Sequence, residues 1–299
     1  MLGPVLETLI GGLMTGVLYS LVALGFVLIF KASGVFNFAQ GAMVLFAALS
    51  FARLSEFMPL VLAFALALLI MIALAYAIEF LVLRRLVNQE GIILFMATLG
   101  IAYFLEGFGQ SLWGSDIYKI GLGLPTNPIF ILESVFPGGL LIDPVELIAA
   151  SICAALVLVL AVFFQVTRVG RALRAVADDH QAAQSVGIPL NRIWLVVWAV
   201  SGLVALVAGM MWGAKLGVQF SLSLIALKAL PVLILGGFTS VPGAIAGGLI
   251  IGIGEKIGEV YWGPLVGGAI ENWFAYVVAL AFLLVRPQGL FGEKIIERV

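Results

Sequence analysis

The chain has 299 residues, of which 63% are hydrophobic and 10% are charged, and its formal net charge at pH 7 is -1. Because soluble domains carry about 25% charged residues, this composition excludes a water-soluble globular protein and indicates a polytopic membrane protein. The small net charge also gives no support for a nucleic-acid partner. The apolar runs recur from end to end and no Ser-rich, Pro-rich or charged linker separates them, so we predict one all-α integral membrane domain over residues 1–299.

Apolar runs long enough to cross a bilayer recur from end to end. A spanning helix needs about 20 apolar residues. The predicted spans are residues 5–30, 36–52, 58–83, 92–113, 145–166, 193–213, 222–239, 242–257 and 264–285. Several runs are short or interrupted by Gly or Pro. We therefore expect a helical bundle of about eight to ten transmembrane helices, some of them broken or re-entrant.

Basic residues in the short connections predict the orientation, because Lys and Arg favour the cytoplasmic side. Arg84 and Arg85, the arginines of residues 168–192 and the basic residues at the C-terminus place these regions inside. The Gly- and Pro-rich stretch 114–144 is expected to be an extracytoplasmic loop. The N-terminus is then outside and the C-terminus is cytoplasmic.

A short glycine motif occurs twice. The pattern G-x-F-x4-G-A runs from Gly34 to Ala42 and again from Gly236 to Ala244, each time after one apolar run and before the next. Paired broken segments in two halves of a transporter indicate a substrate site, because they expose backbone polar groups. Tight helix packing through small residues, or chance, explains the same pattern. Both interpretations stay open.

Polar residues in these motifs are candidates for the lining of a translocation path. An amide is costly in hydrocarbon unless it is satisfied, so Asn37 and Gln40 must face protein, water or cargo. Helix–helix contact and path lining are equally compatible with these two residues. In the second copy, Thr239 and Ser240 precede Pro242, which favours a pore-lining turn over a packed helix.

Charged residues inside the runs need partners or a cavity. Glu106 and Lys228 lie deep in their runs, where they either line the path or form ion pairs with each other or with residues 255–256. Glu79 lies near the cytoplasmic end of its run. We expect its carboxylate to reach Arg84 or the membrane interface.

Residues 168–192, RVGRALRAVADDHQAAQSVGIPLNR, are the one long polar stretch in the chain. They contain four arginines, two adjacent aspartates and the single histidine, His180. Ala and Val at helical spacing predict a short amphipathic helix on the cytoplasmic face, ended by Gly187. Because a short helix is marginally stable alone, docking in a groove would stabilise it. A solvated loop helix is the plainer alternative.

Catalytic chemistry finds little support. One histidine and one cysteine exclude an HExxH motif, a multi-His metal site and a thiolate cluster. The adjacent aspartates at 178–179 are not followed by further carboxylates that would complete an aspartate-rich metal site. The chain also lacks the G-x-x-x-x-G-K-[ST] motif of P-loop ATPases. We predict a transport subunit that is not an enzyme and holds no cofactor or metal of its own.

Four segments resemble the permease subunits of branched-chain amino acid ABC importers, specifically the first of their two permease types. They are LYSLVALGFVLIFKASGVFNFAQGAMVLFAA, GRALRAVADDHQAAQSVGI, PVLILGGFTSVPGAIAGGLIIG and RPQGLFGE, in collinear order over nearly the whole chain. The resemblance implies a multi-pass protein of the bacterial inner membrane. It further implies a second homologous permease, a periplasmic amino-acid-binding protein, and two cytoplasmic P-loop ATPases that bind ATP and Mg²⁺.

In that family the polar stretch is the segment that couples the permease to the ATPase, and residues 168–192 are here called the coupling segment. Ala182, Ala183 and Gly187 match the family's Ala-Ala-x3-Gly pattern, whereas Asp179 stands where importers usually have glutamate. The predicted coupling residues are Arg171, Arg174, Asp178, Asp179, Ala182, Ala183 and Gly187. The predicted path residues are Asn37, Gln40, Thr239, Ser240, Glu106 and Lys228.

Other functions remain compatible with the sequence. Permeases for urea, short amides or other small carboxylates have a very similar sequence pattern. An ion-gradient-driven secondary transporter or a channel would also explain the apolar helices and the buried charges. A membrane-embedded enzyme acting on lipids is disfavoured by the missing catalytic cluster.

Overall fold

The computed structural model describes residues 2–34, 36–86, 89–123, 127–131, 139–178 and 180–292. The first helices are α1 (Leu2–Ser33), α2 (Gln40–Phe57), α3 (Leu60–Leu81), α4 (Gly91–Trp113), α5 (Pro144–Val166), α6 (Arg168–Asp178) and α7 (His180–Ser185). They are followed by α8 (Leu190–Leu216), α9 (Ile225–Gly236), α10 (Val241–Ile257), α11 (Gly263–Val266) and α12 (Phe274–Val285). Short 3-10 turns cover Leu83–Arg85, Phe220–Leu224 and Ile270–Asn272, and a π-helical turn covers Gly258–Trp262.

Within the described ranges, six helical stretches are long and apolar enough to cross a membrane. They are Gly3–Ser33, Leu60–Arg85, Gly91–Trp113, Pro144–Val166, Leu190–Leu216 and Val241–Val266. Every predicted span contains a helix, which confirms the all-α polytopic class. The last predicted span, 264–285, is helical mainly from Phe274 onward, because Gly267, Gly268 and Ala269 adopt positive φ angles and break it.

The chain divides into two compact units. Unit 1 contains Met1–Ala23, Gly123–Leu156 and Leu227–Val299, and unit 2 contains Leu24–Leu122 and Val157–Ala226. Three helices, α1, α5 and α9, each contribute residues to both units.

Unit 2 is built around α2, which is buried on all sides from Gln40 to Ala52. Helices α3, α4 and α8 pack against it. Small residues allow this close approach, because a Cβ atom added to Gly209 of α8 would lie 2.5 Å from the carbonyl oxygen of Val44. Lipid gives no hydrophobic drive between helices, so such close backbone packing stabilises the unit.

Unit 1 contains a crossing of α1 and α10 that is almost backbone to backbone. A Cβ atom added to Gly12 would lie 2.7 Å from Cα of Ile253, and one added to Gly16 would lie 2.7 Å from the carbonyl oxygen of Gly248. The Ser20 hydroxyl donates to the Ile245 carbonyl at 3.2 Å across the same pair of helices. Small residues at this crossing thus let the two helix backbones approach closely.

A small hairpin in unit 1 was not expected from the sequence. Strand β1 (Ile129–Ile131) pairs antiparallel with β2 (Leu140–Ile142), with Phe130 opposite Leu141. The Glu7 carboxylate accepts a 2.7 Å hydrogen bond from the Leu141 amide, which ties the hairpin to the start of α1. The stretch 114–144, predicted as a loop, therefore includes a short paired element.

Candidate translocation and coupling sites

The first glycine turn, described at Gly34 and at residues 36–39, joins α1 to α2. Gly34 has a φ of +71°, a conformation that glycine adopts without steric penalty, and it follows the last residue of α1. The Asn37 side-chain oxygen accepts a 3.1 Å hydrogen bond from the Ala39 amide, as in an Asx turn. The turn is thus shaped by one glycine and one local side-chain bond.

The amide cluster of Asn37, Gln40 and Ser201 lies inside unit 2. Both amide residues are 0% exposed. Oε1 of Gln40 accepts from the Ser201 hydroxyl at 2.7 Å and from Nδ2 of Asn37 at 3.4 Å. Gly25 makes room for this arrangement, since a Cβ atom there would lie 2.8 Å from Cδ of Gln40.

The Gln40 amide is only partly satisfied. Among the described residues, its buried Nε2 has no hydrogen-bond partner. The bond from Ser201 on α8 to Gln40 on α2 is the helix–helix contact that one interpretation of these residues predicts. The lining of a path by Asn37 and Gln40 stays a prediction. In such a path, the unused Nε2 donor of Gln40 would be available to bind cargo.

Aromatic rings surround the first turn. Phe36 stacks on Phe26 with ring centroids 4.7 Å apart, and Phe38 meets Phe95 edge to face, also at 4.7 Å. The Thr98 hydroxyl accepts from the Phe38 amide at 3.3 Å, which ties the turn to α4. These contacts hold the turn in unit 2 by packing as well as by hydrogen bonds.

The second glycine turn, residues 237–240, joins α9 to α10 in unit 1. Gly237 has a φ of +103°. The last carbonyls of a helix lack partners within it, and here the C-terminal segment supplies them. The Leu290 amide donates to Leu235 at 2.8 Å and the Phe291 amide donates to Gly236 at 3.1 Å. Two of the sequence segments that carry the family resemblance therefore pack on each other.

Ser240 is the N-cap residue of α10. Its hydroxyl accepts a 3.1 Å hydrogen bond from the Gly243 amide, and Pro242 lies in the first helical turn, where its missing N–H leaves no helical bond unmade. Thr239 is half-buried beside it. Ser240 and Pro242 thus begin a helix in this structure, and the lining of a path by Thr239 and Ser240 remains a prediction.

Glu255 forms a buried polar pair that the sequence did not reveal. Its carboxylate is 2% exposed, and Oε2 accepts a 2.9 Å hydrogen bond from the Tyr19 hydroxyl across the α1–α10 crossing. Within the described ranges, Oε1 of Glu255 has no hydrogen-bond partner. The Lys228 ammonium group attracts the Glu255 carboxylate electrostatically. It also donates a 3.1 Å hydrogen bond to the main-chain carbonyl of Glu271. Lys228 thus holds the turn before α12.

Two further carboxylates lie in unit 2. Arg84 contacts Glu79 through Nε at 3.2 Å and Nη2 at 3.3 Å, which confirms the predicted pairing of this carboxylate with Arg84. Glu106 is half-buried in α4, next to exposed Tyr103 and Phe104. A role for Glu106 in the path is still a prediction.

In the coupling segment, the described residues on either side of Asp179 are helical and form α6 and α7. Asp179, between them, lies outside the described residues, and for Asp178 the backbone alone is described. Arg171 and Ala182 are exposed, Arg174 is half-buried, and Ala183 is 2% exposed. The predicted coupling residues therefore divide between an exposed face and a packed one.

Gly187 ends the segment by a Schellman motif, in which two amides close back onto the last helical turn. The Ile188 amide donates to Ala183 at 3.0 Å, and the Gly187 amide donates to Gln184 at 2.9 Å. Gly187 has a φ of +85°, which a β-branched residue adopts only with strain. The predicted helix stop at Gly187 is confirmed. An open cavity of about 350 Å³ lies beside this loop, lined by Gln184, Gly187, Ile188, Pro189, Leu190 and Asn191.

In the part of the chain that the structure describes, the arrangement of side chains gives no support for metal binding. No group of three or more His, Cys, Asp and Glu side chains there is placed to hold a metal ion. Cys153 is a buried free thiol in α5.

Comparison with known proteins gives a consistent result over nearly the full length. A family model described as "Branched-chain amino acid transport system / permease component" matches residues 8–286. The high-affinity branched-chain amino acid transport system permease protein BraD of Pseudomonas aeruginosa is 28% identical over 306 residues, covering 98% of each chain. LivH of Escherichia coli, a permease protein of the same description, is 28% identical over 317 residues, covering 98% of this chain and 97% of LivH. A probable LivH of Methanocaldococcus jannaschii is 28% identical over 292 residues, covering 94% and 91%.

Proposed function

Because the chain belongs to the branched-chain amino acid transport permease family, we propose that it is the permease subunit of an ABC importer for branched-chain or related small hydrophobic amino acids. The match over residues 8–286 carries this proposal, since it includes the coupling segment and both glycine turns. The protein itself carries out no chemical reaction. It is a multi-pass component of the inner membrane that moves its cargo when partner subunits hydrolyse ATP.

The proposed assembly contains a second homologous permease, two P-loop ATPases and a periplasmic amino-acid-binding protein. ATP and Mg²⁺ bind to the ATPases. The coupling segment and the C-terminus lie in the cytoplasm and the N-terminus lies outside, as the distribution of basic residues favours. Exposed Arg168, Arg171 and Arg192 give the proposed cytoplasmic face a basic character, which suits an acidic partner surface.

The coupling segment transmits ATP-driven movement. Helices α6 and α7 seat in a cleft of an ATPase and move with it as a rigid body. The exposed residues Arg171 and Ala182 contact the ATPase, whereas buried Ala183 packs toward the permease. The Gly187 loop and the adjoining cavity form the edge of this surface, where a side chain of the ATPase has room to enter.

The cargo is a zwitterion that crosses a mostly apolar path, and its specificity resides chiefly in the binding protein. Asn37, Gln40, Thr239 and Ser240 supply weak polar contacts along this path, together with Glu106 and Lys228. The buried Nε2 of Gln40 supports its assignment, because an unused donor suits a carboxylate or carbonyl oxygen of the cargo. Replacing Asn37, Gln40, Thr239 and Ser240 together by alanine should reduce uptake. Unchanged uptake would remove these residues from the path.

Substitution of Gly187 tests the coupling role. Gly187→Val forces a β-branched residue into a positive φ and should abolish transport while membrane insertion is retained. Gly187→Asn is the matched control, because Asn tolerates this conformation and should keep most of the transport. The measurements are membrane abundance of the tagged chain and uptake of labelled leucine. Full transport by Gly187→Val would contradict the coupling role.

A pull-down tests the assembly. The tagged chain is extracted from its native membrane in mild detergent, and co-purified proteins are identified by mass spectrometry. Recovery of P-loop ATPases and a second permease is the expected result. Recovery of the chain alone, under conditions that preserve a control ABC complex, would favour a gradient-driven carrier. If the complex is recovered, the binding protein that delivers cargo to it can be screened against leucine, isoleucine, valine, urea and short amides to identify the cargo.

A further inference from the structure

We infer that Arg174 is a positioning residue that locks the coupling segment to the C-terminal end of α5, so that movement of the segment reaches the membrane through α5. This inference rests on the proposed function. It assigns Arg174 a role within the protein, distinct from the contact with the ATPase that exposed Arg171 is placed to make.

The Arg174 guanidinium turns back onto the preceding helix. Nη1 donates to the Phe164 carbonyl at 2.8 Å and Nη2 donates to the Gln165 carbonyl at 3.4 Å. Both carbonyls belong to the last turn of α5, where the helix leaves its own acceptors unpaired. A positive charge at a helix C-terminus is also favoured by the helix dipole. The side chain therefore caps α5 from within α6.

Thr167 and Gly170 complete this joint. Thr167 lies between the two helices, and its hydroxyl donates to the Phe163 carbonyl at 2.7 Å and accepts from the Gly170 amide at 3.2 Å. Gly170 is buried, and a Cβ atom there would overlap the carbonyl group of Phe164. The backbone of α6 approaches α5 closely at this point because residue 170 has no side chain.

Further residues of α6 are packed rather than free. Leu173 is 2% exposed and Val176 is 0% exposed, and α6 contacts α8 within unit 2. Without the arginine cap, α6 would be joined to the end of α5 only near Thr167 and Gly170, and a push on α6 would rotate it about that point. With the arginine cap in place, a push on α6 becomes a displacement of the end of α5. Loss of the cap should thus weaken force transmission while the exposed ATPase-facing residues remain.

The test uses the full importer complex in proteoliposomes with Arg174→Met, which keeps an apolar stem and removes the donors. Complex recovery, ATP hydrolysis and cargo moved per ATP are measured together. We expect unchanged recovery of the ATPases, near-normal hydrolysis and a fall of about tenfold in cargo per ATP, because two hydrogen bonds from a charged group are lost. Arg174→Lys should give an intermediate ratio of cargo to ATP, since the compact ammonium group lacks the planar fork with which the guanidinium reaches both carbonyls.

The matched control is Arg85→Met, an exposed arginine at another helix end that should leave all three readouts unchanged. Loss of the ATPases from the Arg174→Met complex would overturn the inference and show a direct contact with the ATPase. An unchanged ratio of cargo to ATP would also overturn it. If the wild-type chain recovers no ATPase, the proposed function itself fails, which is a distinguishable result.

A spectroscopic measurement tests the joint without transport. Spin labels are placed in a Cys153→Ala background at exposed Val159 of α5 and exposed Ser185 of α7. A narrow distance distribution in the otherwise unchanged protein that broadens in Arg174→Met is the expected result. An equally narrow distribution in both proteins would mean that the arginine does not fix the segment, and would overturn the inference.

Discussion

The two glycine turns share a sequence pattern but are held by different parts of the molecule. In the first, side chains hold the turn, because Asn37 caps its own backbone and Gln40 bonds to Ser201. In the second, main-chain amides of the C-terminal segment bond to the end of α9. The glycines permit each bend, whereas the flanking chemistry determines what stabilises it. Substitutions should therefore disturb the two turns at different places.

The largest effect is expected from filling the space that the Gln40 side chain occupies. Gly25→Val would overlap the buried amide group and displace its bond with Ser201. We expect a loss of about 3 kcal/mol in the free energy of unfolding, from overpacking and a disrupted buried polar group. Thermal unfolding of the purified protein in detergent measures this loss.

Gly100→Val is the control for Gly25→Val. Gly100 lies on the exposed side of α4 with no atom within 4 Å of an added Cβ. Its substitution should change stability by less than about 0.5 kcal/mol. Equal effects of the two substitutions would show that the first turn does not depend on the space beside Gly25.

The next largest effect is expected from substituting the glycines at the two glycine turns. Gly237→Ala combines a positive φ with a Cβ atom 2.8 Å from the Gly292 amide nitrogen, and we expect a loss of about 2 to 3 kcal/mol. Gly34→Ala has the same unfavourable φ but open space, so about 1 to 2 kcal/mol is expected. Denaturation of both variants measures the difference. A larger loss for Gly34→Ala would contradict the proposed dependence of the second turn on backbone contact.

A smaller effect is expected from Ser201→Ala. It removes the 2.7 Å hydrogen bond to Gln40, so the buried Oε1 of Gln40 keeps only the longer bond from Asn37. Stability should therefore fall by about 1 to 2 kcal/mol. Ser201→Thr keeps the hydroxyl and is the control for loss of the donor. A neutral Ser201→Ala would mean that the helix–helix bond contributes nothing net.

The smallest effect is expected at Ser240, the cap of α10. Ser240→Ala should lower stability by about 1 kcal/mol, whereas Ser240→Asp should retain the cap, since Asp is also a favoured N-cap residue. Both are measured by thermal unfolding in the same detergent. If Ser240→Asp instead destabilises as much as Ser240→Ala, capping is not the role of this side chain.

Local features of the fold could be predicted from the sequence. Hydropathy located the helices because each residue has its own preference for lipid, although within the described ranges six of the nine predicted spans are long and apolar enough to cross a membrane. Gly187 indicated the end of the coupling segment because a positive φ favours glycine. The charge pair of Glu79 and Arg84 was also accessible, since the two residues are close in sequence.

Long-range partners could not be predicted. Nothing near Gln40 indicates Ser201, and nothing near Tyr19 indicates Glu255, because these contacts depend on how distant helices pack. The hydrogen bonds from Arg174 to the end of α5 could not be predicted for a different reason. Arginines in a polar stretch are usually solvated, and the capping role appears only with the geometry of the joint. The roles of the predicted path residues likewise require functional measurement.

The most direct measurement of the central claim is uptake of labelled leucine by proteoliposomes that contain the chain with its co-purified partners and the binding protein. Uptake is expected to require ATP and Mg²⁺ on the side of the ATPases and to persist when ionophores abolish every ion gradient. Uptake driven by an imposed ion gradient without ATP would contradict the assignment of this chain to an ABC importer.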